Sequence, residues 1–475
     1  MEITDNNDDI NKNPETKNPE TEYTLPSSFT SEQQQVFDKY INKENIFITG
    51  PGGTGKTHLI KEIVNHATTT NRSFRVCALT GCAAILLMCG ASTLHAFAGI
   101  GLANGAINDI VEKVIKNRYK RPNWNKIDLL IVDEVSMLSL KIFKILDLIA
   151  KKIKKRFNVP FGGIQIIFSG DFYQLPPVGD EDDPESVQFC FETPLWNETF
   201  IPETNQITLK QIHRQTDPKY IKILNNIRVG KITTSTITTL TECTKKTYTN
   251  IETRPTILLP RRRDTDKINY NELNKLDENT EKIFNTEQVL EQDITLTPQQ
   301  IQNISLFTEQ EKKYEINYLM ENIMAEKQIR LRIGTVVMCL ANLNVEGPTP
   351  IVNGSQGIVI DYIDNYPKVK FNNGVVQVIT PHVWSSERLP GIAIKQIPLI
   401  YAWAITIHKA QGLSLDNALI DIGNQIFECG QTYVALSRVK SLEGLYLKGF
   451  DYNKIKINRK VNEFYLNLKI VNLKI

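Results

Sequence analysis

Two short stretches carry residue types able to handle a nucleoside triphosphate. "GPGGTGKT", Gly50 to Thr57, has the spacing GxxxxGK[ST]. Between a strand and a helix, such a loop turns backbone N–H groups and the helix N-terminus toward phosphate oxygens. Gly50, Pro51, Gly52, Gly53, Thr54 and Gly55 would form the cradle, Lys56 would neutralise the β- and γ-phosphates, and Thr57 would ligate Mg²⁺. "LLIVDE" ends an apolar run on Asp133 and Glu134. Two carboxylates there are costly unless a cation or substrate uses them. Asp133 suits the Mg²⁺ shell, and Glu134 suits the base that orients or deprotonates an attacking water. Together they read as an NTPase using ATP and Mg²⁺.

"GDFYQLPPVGDEDD", from Gly170, follows another apolar run. Prolines stop a strand by removing donors and fixing φ. Stopping it needs no glutamine, so Gln174 is either a turn residue or a polar group aimed at a ligand. Polar groups clustered at a strand C-terminus favour the ligand.

The elements that must position these residues alternate. "NIFITG", "FRVCALT", "IDLLIVDE" and "IQIIFSGD" read as strands, and "GKTHLIKEIVNHA" and "LKIFKILDLIAKKIKKRF" as helices. Continuous apolar strands alternating with helices predict a parallel sheet covered on both faces. The predicted class is α/β: two RecA-like P-loop lobes with parallel sheets, a small inserted β-barrel and a small wedge insertion. Residues 1–25 read as a disordered acidic N-terminus and about 26–200 as the first lobe, with the wedge near 100–125. The second lobe is expected in two parts, about 201–300 and 396–475 with a C-terminal tail. The barrel falls between them, about 301–395, where short strands, Asn-Gly turns and repeated glycines cluster.

Bulk properties exclude several classes. Formal net charge is +2, so no global basic field draws the chain to nucleic acid, and any such contact must be local. Seven cysteines without a CxxC pair argue against a zinc module and point to a reducing, intracellular compartment. No apolar run spans a bilayer. The acidic N-terminus is unlike a signal or transit peptide.

Beyond the NTPase signature, "DEVSMLSLKIFKILDLIAKKIKKRFNVPFGGIQIIFSGDFYQLPPV" resembles the Pif family of DNA helicases, the superfamily-one 5′→3′ branch related to RecD and Dda. Further matches, "LTGCAA", "LHAFAG", "LKQIHRQ", "LLPRRRDTDKIN", "IVNGSQGIVIDY", "AITIHKAQG" and "GQTYVALSR", come in the family's order, over about residues 27–450. The resemblance implies that Gln174 touches the γ-phosphate and that Arg214 and Arg438 act as arginine fingers. It also implies that Gln33 recognises adenine, that Arg262 approaches the phosphates or adenosine, that Gln411 and Gly412 bind the nucleotide, and that Gln411 couples nucleotide to DNA. Thr80, Gly81, His95, Phe97, Thr406, His408 and Lys409 would meet DNA. For Phe97 the alternative is core packing, and for His408 a structural histidine. His213 and the "GPGG" start depart from the family pattern without removing a required charge.

The implied activity is ATP-dependent 5′→3′ unwinding, with single-stranded and tailed or forked duplex DNA as partners, in replication, repair or recombination. A monomer or DNA-induced dimer is expected, with no membrane contact. Telomere, G-quadruplex and fork preferences rest on the resemblance alone. Two other readings stay open: an ATP-gated translocase that does not unwind, and a clamp-loader or initiator-type AAA+ ATPase.

Overall fold

The computed structural model describes residues 29–472, apart from 88, 119, 249–253, 290–306, 324, 344–350, 352, 387–388 and 390. The acidic stretch 1–25 lies outside the described residues. The first described element is the helix Ser31–Ile41, where Thr30 and Gln33 make a reciprocal capping box.

Six strands form the first sheet: β1 (Ile46–Thr49), β2 (Phe74–Ala78), β3 (Ser92–Thr93), β4 (Leu129–Asp133), β5 (Gln165–Ser169) and β6 (Gln206–Thr208). All neighbours pair in parallel, in the order β3-β2-β4-β5-β1-β6. Every residue of β1, β4 and β5 is buried, which explains their unbroken apolar character. Leu129 and Ile131 of β4 face a core with Val36, Ile60 and Ile63. Leu130 and Val132 face the opposite core with Phe143, Ile149 and Trp196. The order brings the C-terminal ends of β4, β5 and β1 side by side. The loops carrying Glu134, Gln174 and Lys56 therefore converge, as ligand loops do where strand order reverses.

A second parallel sheet starts at β7 (Thr256–Leu259). An antiparallel insertion follows: β8 (Lys282–Asn285), β9 (Glu287–Val289), β10 (Gln328–Leu331), β11 (Val336–Cys339), β12 (Gln356–Ile363), β13 (Tyr366–Phe371), β14 (Val376–Val378), β15 (His382–Ser385), β16 (Ala393–Gln396) and β17 (Leu399–Tyr401). Among the described residues these strands make sheets of two, five and three strands. Gly374, at φ +83°, turns β13 into β14 after two asparagines, the hairpin chemistry that sequence favours. β18 (Ala404–Thr406), β19 (Ala418–Ile422) and β20 (Leu445–Phe450) then complete the second lobe, in the order β18-β7-β19-β20.

Two features change the expected plan. The segment Gly101–Trp124 is not an appendage. Ile110, Val111, Val114 and Trp124 are part of the first lobe's core, while Leu102 is 85% exposed. The expected C-terminal tail contains a helix, Arg459–Asn472, that returns to the first lobe and buries Val461, Tyr465 and Leu468 beside Phe172 and Trp196.

Candidate nucleotide site and adjoining cavity

Gly50 to Thr57 runs from the end of β1 into the helix Lys56–Thr69. Gly53 and Gly55 adopt φ +83° and +84°, which favours glycine at both positions. A side chain at Gly53 would also meet Arg214 Cβ at 2.5 Å. Lys56 Nζ donates to Gly50 O at 2.7 Å and Pro51 O at 3.0 Å, so the ammonium stays inside the loop. Burial pulls its pKa down, opposed by Asp171, Glu134 and Asp133 in that order. An anion in the loop would relieve that cost.

Thr57 Oγ1 donates to Asp133 Oδ2 at 3.5 Å, bringing together the two groups expected around Mg²⁺. Glu134 takes φ +57° and ψ +40°, a left-handed conformation uncommon outside glycine and typical of functional turns. Burial pushes the Asp133 and Glu134 carboxyls above their usual range, and for Glu134 the charge of Asp133 adds to it. A cation and a basic role suit this pair. Among the described residues there is no cluster of three or more His, Cys, Asp or Glu able to hold a metal, so a cation here would rely on Thr57, Asp133 and phosphate oxygens.

The second lobe closes onto the same loop. Tyr433 Oη accepts from Gly52 N at 2.9 Å. A Cβ on Gly52 would lie 3.6 Å from Arg438 Nη2 and 3.7 Å from Arg214 Nη1, so two guanidinium groups share one spot. Arg438 is 2% exposed, and burial followed by the charge of Arg214 pulls its pKa down to about 9. Burial also lowers that of Arg214. A buried guanidinium with a second, half-buried one at the same point is unfavourable until an anion sits between them. Gln411 Nε2 donates to Glu134 Oε2 at 3.0 Å, a second bond between the lobes. Gly412 is exposed, at φ +85°. His213 N donates to Gly53 O at 2.8 Å, so the atypical histidine braces the loop through its backbone.

Gln174 answers to both of its readings. Its N–H donates to Asp171 O at 2.8 Å, closing a turn. Its buried Oε1 has no partner among the described residues, as suits an atom reserved for a ligand. Gln33 is 4% exposed, and its Nε2 would lie 2.9 Å from a Cβ on Gly55, beside the loop. Arg262 is not brought to the phosphate pocket. Its side chain is 74% exposed and pairs with Asp266, because it lies on the outer side of the first turn of the helix Arg262–Leu273.

A cavity of about 1840 Å³ separates the first lobe from the inserted region. Thr80, Gly81 and His95 line one wall with Lys113 and Arg118, and Tyr314 and Trp384 line the other. Burial holds the His95 imidazole below its usual pKa. Phe97 is among the lining residues too, but it is 4% exposed and its ring lies 5.0 Å from that of Trp124, which favours the packing alternative. Thr406, His408 and Lys409 are not among the lining residues. Thr406 Oγ1 accepts from Lys409 N at 3.1 Å, Lys409 pairs with Glu326, and burial lowers the His408 pKa.

Tyr433, Gln215 and Ser437 were missed as site residues. Gln215 donates to the carbonyls of Ser437 and Val439 at 3.2 and 3.1 Å and so seats the Arg438 turn. All three fall inside the quoted stretches "IHRQ" and "GQTYVALSR", which was the available signal.

Comparison with known proteins agrees with this geometry. Residues 28–238 match the family described as PIF1-like helicase, and residues 316–362 match the DNA helicase Pif1, 2B domain. An ATP-dependent DNA helicase PIF1 of Danio rerio is 32% identical over 458 residues, covering 95% of this chain and 66% of that protein. The Homo sapiens protein of the same name is 31% identical, with 95% and 66% covered. This chain therefore spans just under two thirds of the length of these relatives. A crystal structure of Pif1 helicase from Candida albicans superposes with a TM-score of 0.70 at 32% identity, covering 93% of this chain and 99% of that one. Bacteroides sp. Pif1 in complex with ADP-AlF4 gives 0.74 at 27% identity, with 93% and 97% covered. With its two RecA-like lobes and a shared cleft, the chain belongs to the PIF1-like helicase family.

Proposed function

We propose that this protein is an ATP-dependent DNA helicase that translocates 5′→3′ on a single strand and opens duplex ahead of it. The observation that carries this reading is the meeting of Arg214, Arg438 and Tyr433 at Gly52. Guanidinium groups delivered across a cleft make hydrolysis depend on how the lobes sit, which is what a motor requires. Thr57 and Asp133 would hold Mg²⁺, which would neutralise phosphate charge. Lys56 and the loop amides would hold the phosphates. Glu134, oriented by Gln411, would accept the proton of the attacking water. Gln174 would report the γ-phosphate to the rest of the first lobe.

DNA as the track is supported by the cavity between the first lobe and the inserted region. It is supported too by solved relatives, one described as Bacteroides Pif1 bound to ssDNA and another as DNA unwinding at forked dsDNA by two coordinating Pif1 helicases. Polarity, and roles in replication, repair or recombination, follow from family membership. Leu102, at the tip of a glycine-rich loop beside the cavity, is the residue suited to part the strands. Among the described residues, no helix is long and apolar enough to cross a membrane.

The test is steady-state ATPase with and without single-stranded oligothymidine, with Lys56→Ala as the blank. Strong stimulation is expected, followed by unwinding of 5′-tailed but not 3′-tailed duplexes. A DNA-independent rate would reject the motor. Leu102→Ala separates helicase from translocase, since it should lose unwinding and keep stimulated ATPase.

A further inference from the structure

Asp171 is fully buried one residue beyond Gly170, and its carboxylate is given no direct contact with nucleotide in the reading above. Its Oδ2 accepts from Arg228 Nε at 2.8 Å, and its Oδ1 accepts from Arg228 Nη2 at 2.7 Å. Tyr465 Oη donates to Oδ1 at 3.3 Å. The guanidinium carbon lies 4.6 Å from the Tyr173 ring centroid and 5.2 Å from that of Tyr465. Those two rings stack 4.7 Å apart at 11°.

Three separate parts of the chain meet here. Asp171 and Tyr173 belong to the first lobe. Arg228 ends the helix Pro218–Arg228, whose Tyr220, Ile223, Leu224 and Ile227 are in the second lobe's core. Tyr465 comes from the returning helix Arg459–Asn472. The same Tyr465 hydroxyl lies 2.6 Å from Thr49 Oγ1 and accepts from Phe172 N at 3.1 Å. Thr49 is the last residue of β1, directly before Gly50. One hydroxyl thus touches the strand that launches the phosphate loop and the turn that carries Gln174. Asp171 is also the carboxylate with the strongest pull on the Lys56 ammonium.

We propose that Asp171, Arg228 and Tyr465 form a buried pivot, a positioning unit that holds the phosphate loop and the Gln174 turn in place while the two lobes rotate about it. The inference rests on the ATPase motor reading above. A two-pronged ion pair in a buried setting cannot open without stranding a charge. Other bonds between the lobes, among them Gln411 to Glu134, Gly52 to Tyr433 and His213 to Gly53, are single hydrogen bonds around the phosphate loop that can part without stranding an ion pair. Closure must therefore make and break those contacts while the Asp171–Arg228 pair stays shut.

The experiment compares wild type, Tyr465→Phe, Arg228→Lys and the double variant as full chains. It reads kcat and KM for ATP with and without oligothymidine, per folded molecule by circular dichroism. Tyr465→Phe should keep KM within about threefold. It should lower the DNA-stimulated kcat by about tenfold, and the basal rate much less, because small misplacements of reacting groups cost that much. Arg228→Lys should behave alike, since an ammonium cannot make the two-pronged contact. The double variant should be no worse than Arg228→Lys, as expected of one unit. Equal proportional losses in basal and stimulated rates, or unchanged stimulated rates, would overturn the pivot. Wild type without DNA stimulation would overturn the motor reading and this inference with it.

Discussion

Replacing Arg438 by methionine should make the nucleotide-free protein more stable while stopping its chemistry. Arg438 is 2% exposed and shares the space over Gly52 with Arg214. Burial and that neighbour pull its pKa to about 9. Compared with an arginine in water, this represents a charging penalty of roughly 5 kcal/mol, at ~1.4 kcal/mol per tenfold in the proton equilibrium. Methionine keeps most of the apolar stem and gives up two hydrogen bonds, Nε to Val434 O at 2.9 Å and Nη2 to Ser437 Oγ at 2.7 Å. Each is worth about 1 kcal/mol. Val434 O retains the Ser437 hydroxyl at 3.0 Å, so no carbonyl is stranded. The net expectation is a gain of roughly 2–3 kcal/mol, in line with buried charges replaced by apolar groups. An arginine at the γ-phosphate contributes about 10³-fold or more to turnover. The assay is urea unfolding without nucleotide, beside ATPase with oligothymidine. A variant that unfolds at lower urea than wild type and retains turnover within about tenfold would refute the reasoning and make Arg438 a structural residue.

Glu134→Gln should lose hydrolysis by about 10²–10⁴-fold and still bind a fluorescent ATP analogue, whereas Lys56→Ala should lose both. Failure of Glu134→Gln to bind would remove Glu134 from the role of base. Gln174→Ala should weaken DNA stimulation of the ATPase more than DNA affinity, measured by anisotropy, and equal losses would count against the sensor role. Phe97→Ala should cost about 3–5 kcal/mol of stability, as a core deletion does. Unchanged stability with selectively weaker DNA binding would restore Phe97 as a stacking residue. His95, held by burial below its usual pKa, takes up its proton after the unfolded chain does as pH falls. Stability tied to it is present above about pH 6.5 and is lost on acidification through the folded pKa. The melting temperature of His95→Gln relative to wild type should therefore rise between about pH 7.5 and about 5.5, and a flat difference would exclude a buried neutral imidazole.

What was legible in the sequence was local. The phosphate loop depends on glycines whose required φ values are written in the residue types, and Asp133 and Glu134 announce themselves by ending an apolar strand. Arg214 and Arg438 were legible only through the order of the surrounding motifs, since a lone arginine looks the same whether it meets phosphate or solvent. Phe97 shows the limit of such reading. An aromatic at a loop edge has one signature for stacking and for packing, and only the tertiary contact with Trp124 favours the second. The Gly101–Trp124 segment looked separable because its polar residues advertise a surface, while its buried face is defined by the neighbouring helix Leu140–Lys154.

The amino-acid sequence by itself determined the chemistry of the loops and the parallel character of the sheets, because backbone conformation and strand burial are governed by residues close together in the chain. Only the tertiary structure decided that Asp171 meets Arg228 across 57 residues and Tyr465 across 294. It also decided that the two arginines share one glycine. Such partnerships depend on where the chain returns after folding, and a buried charge takes whichever partner that return presents.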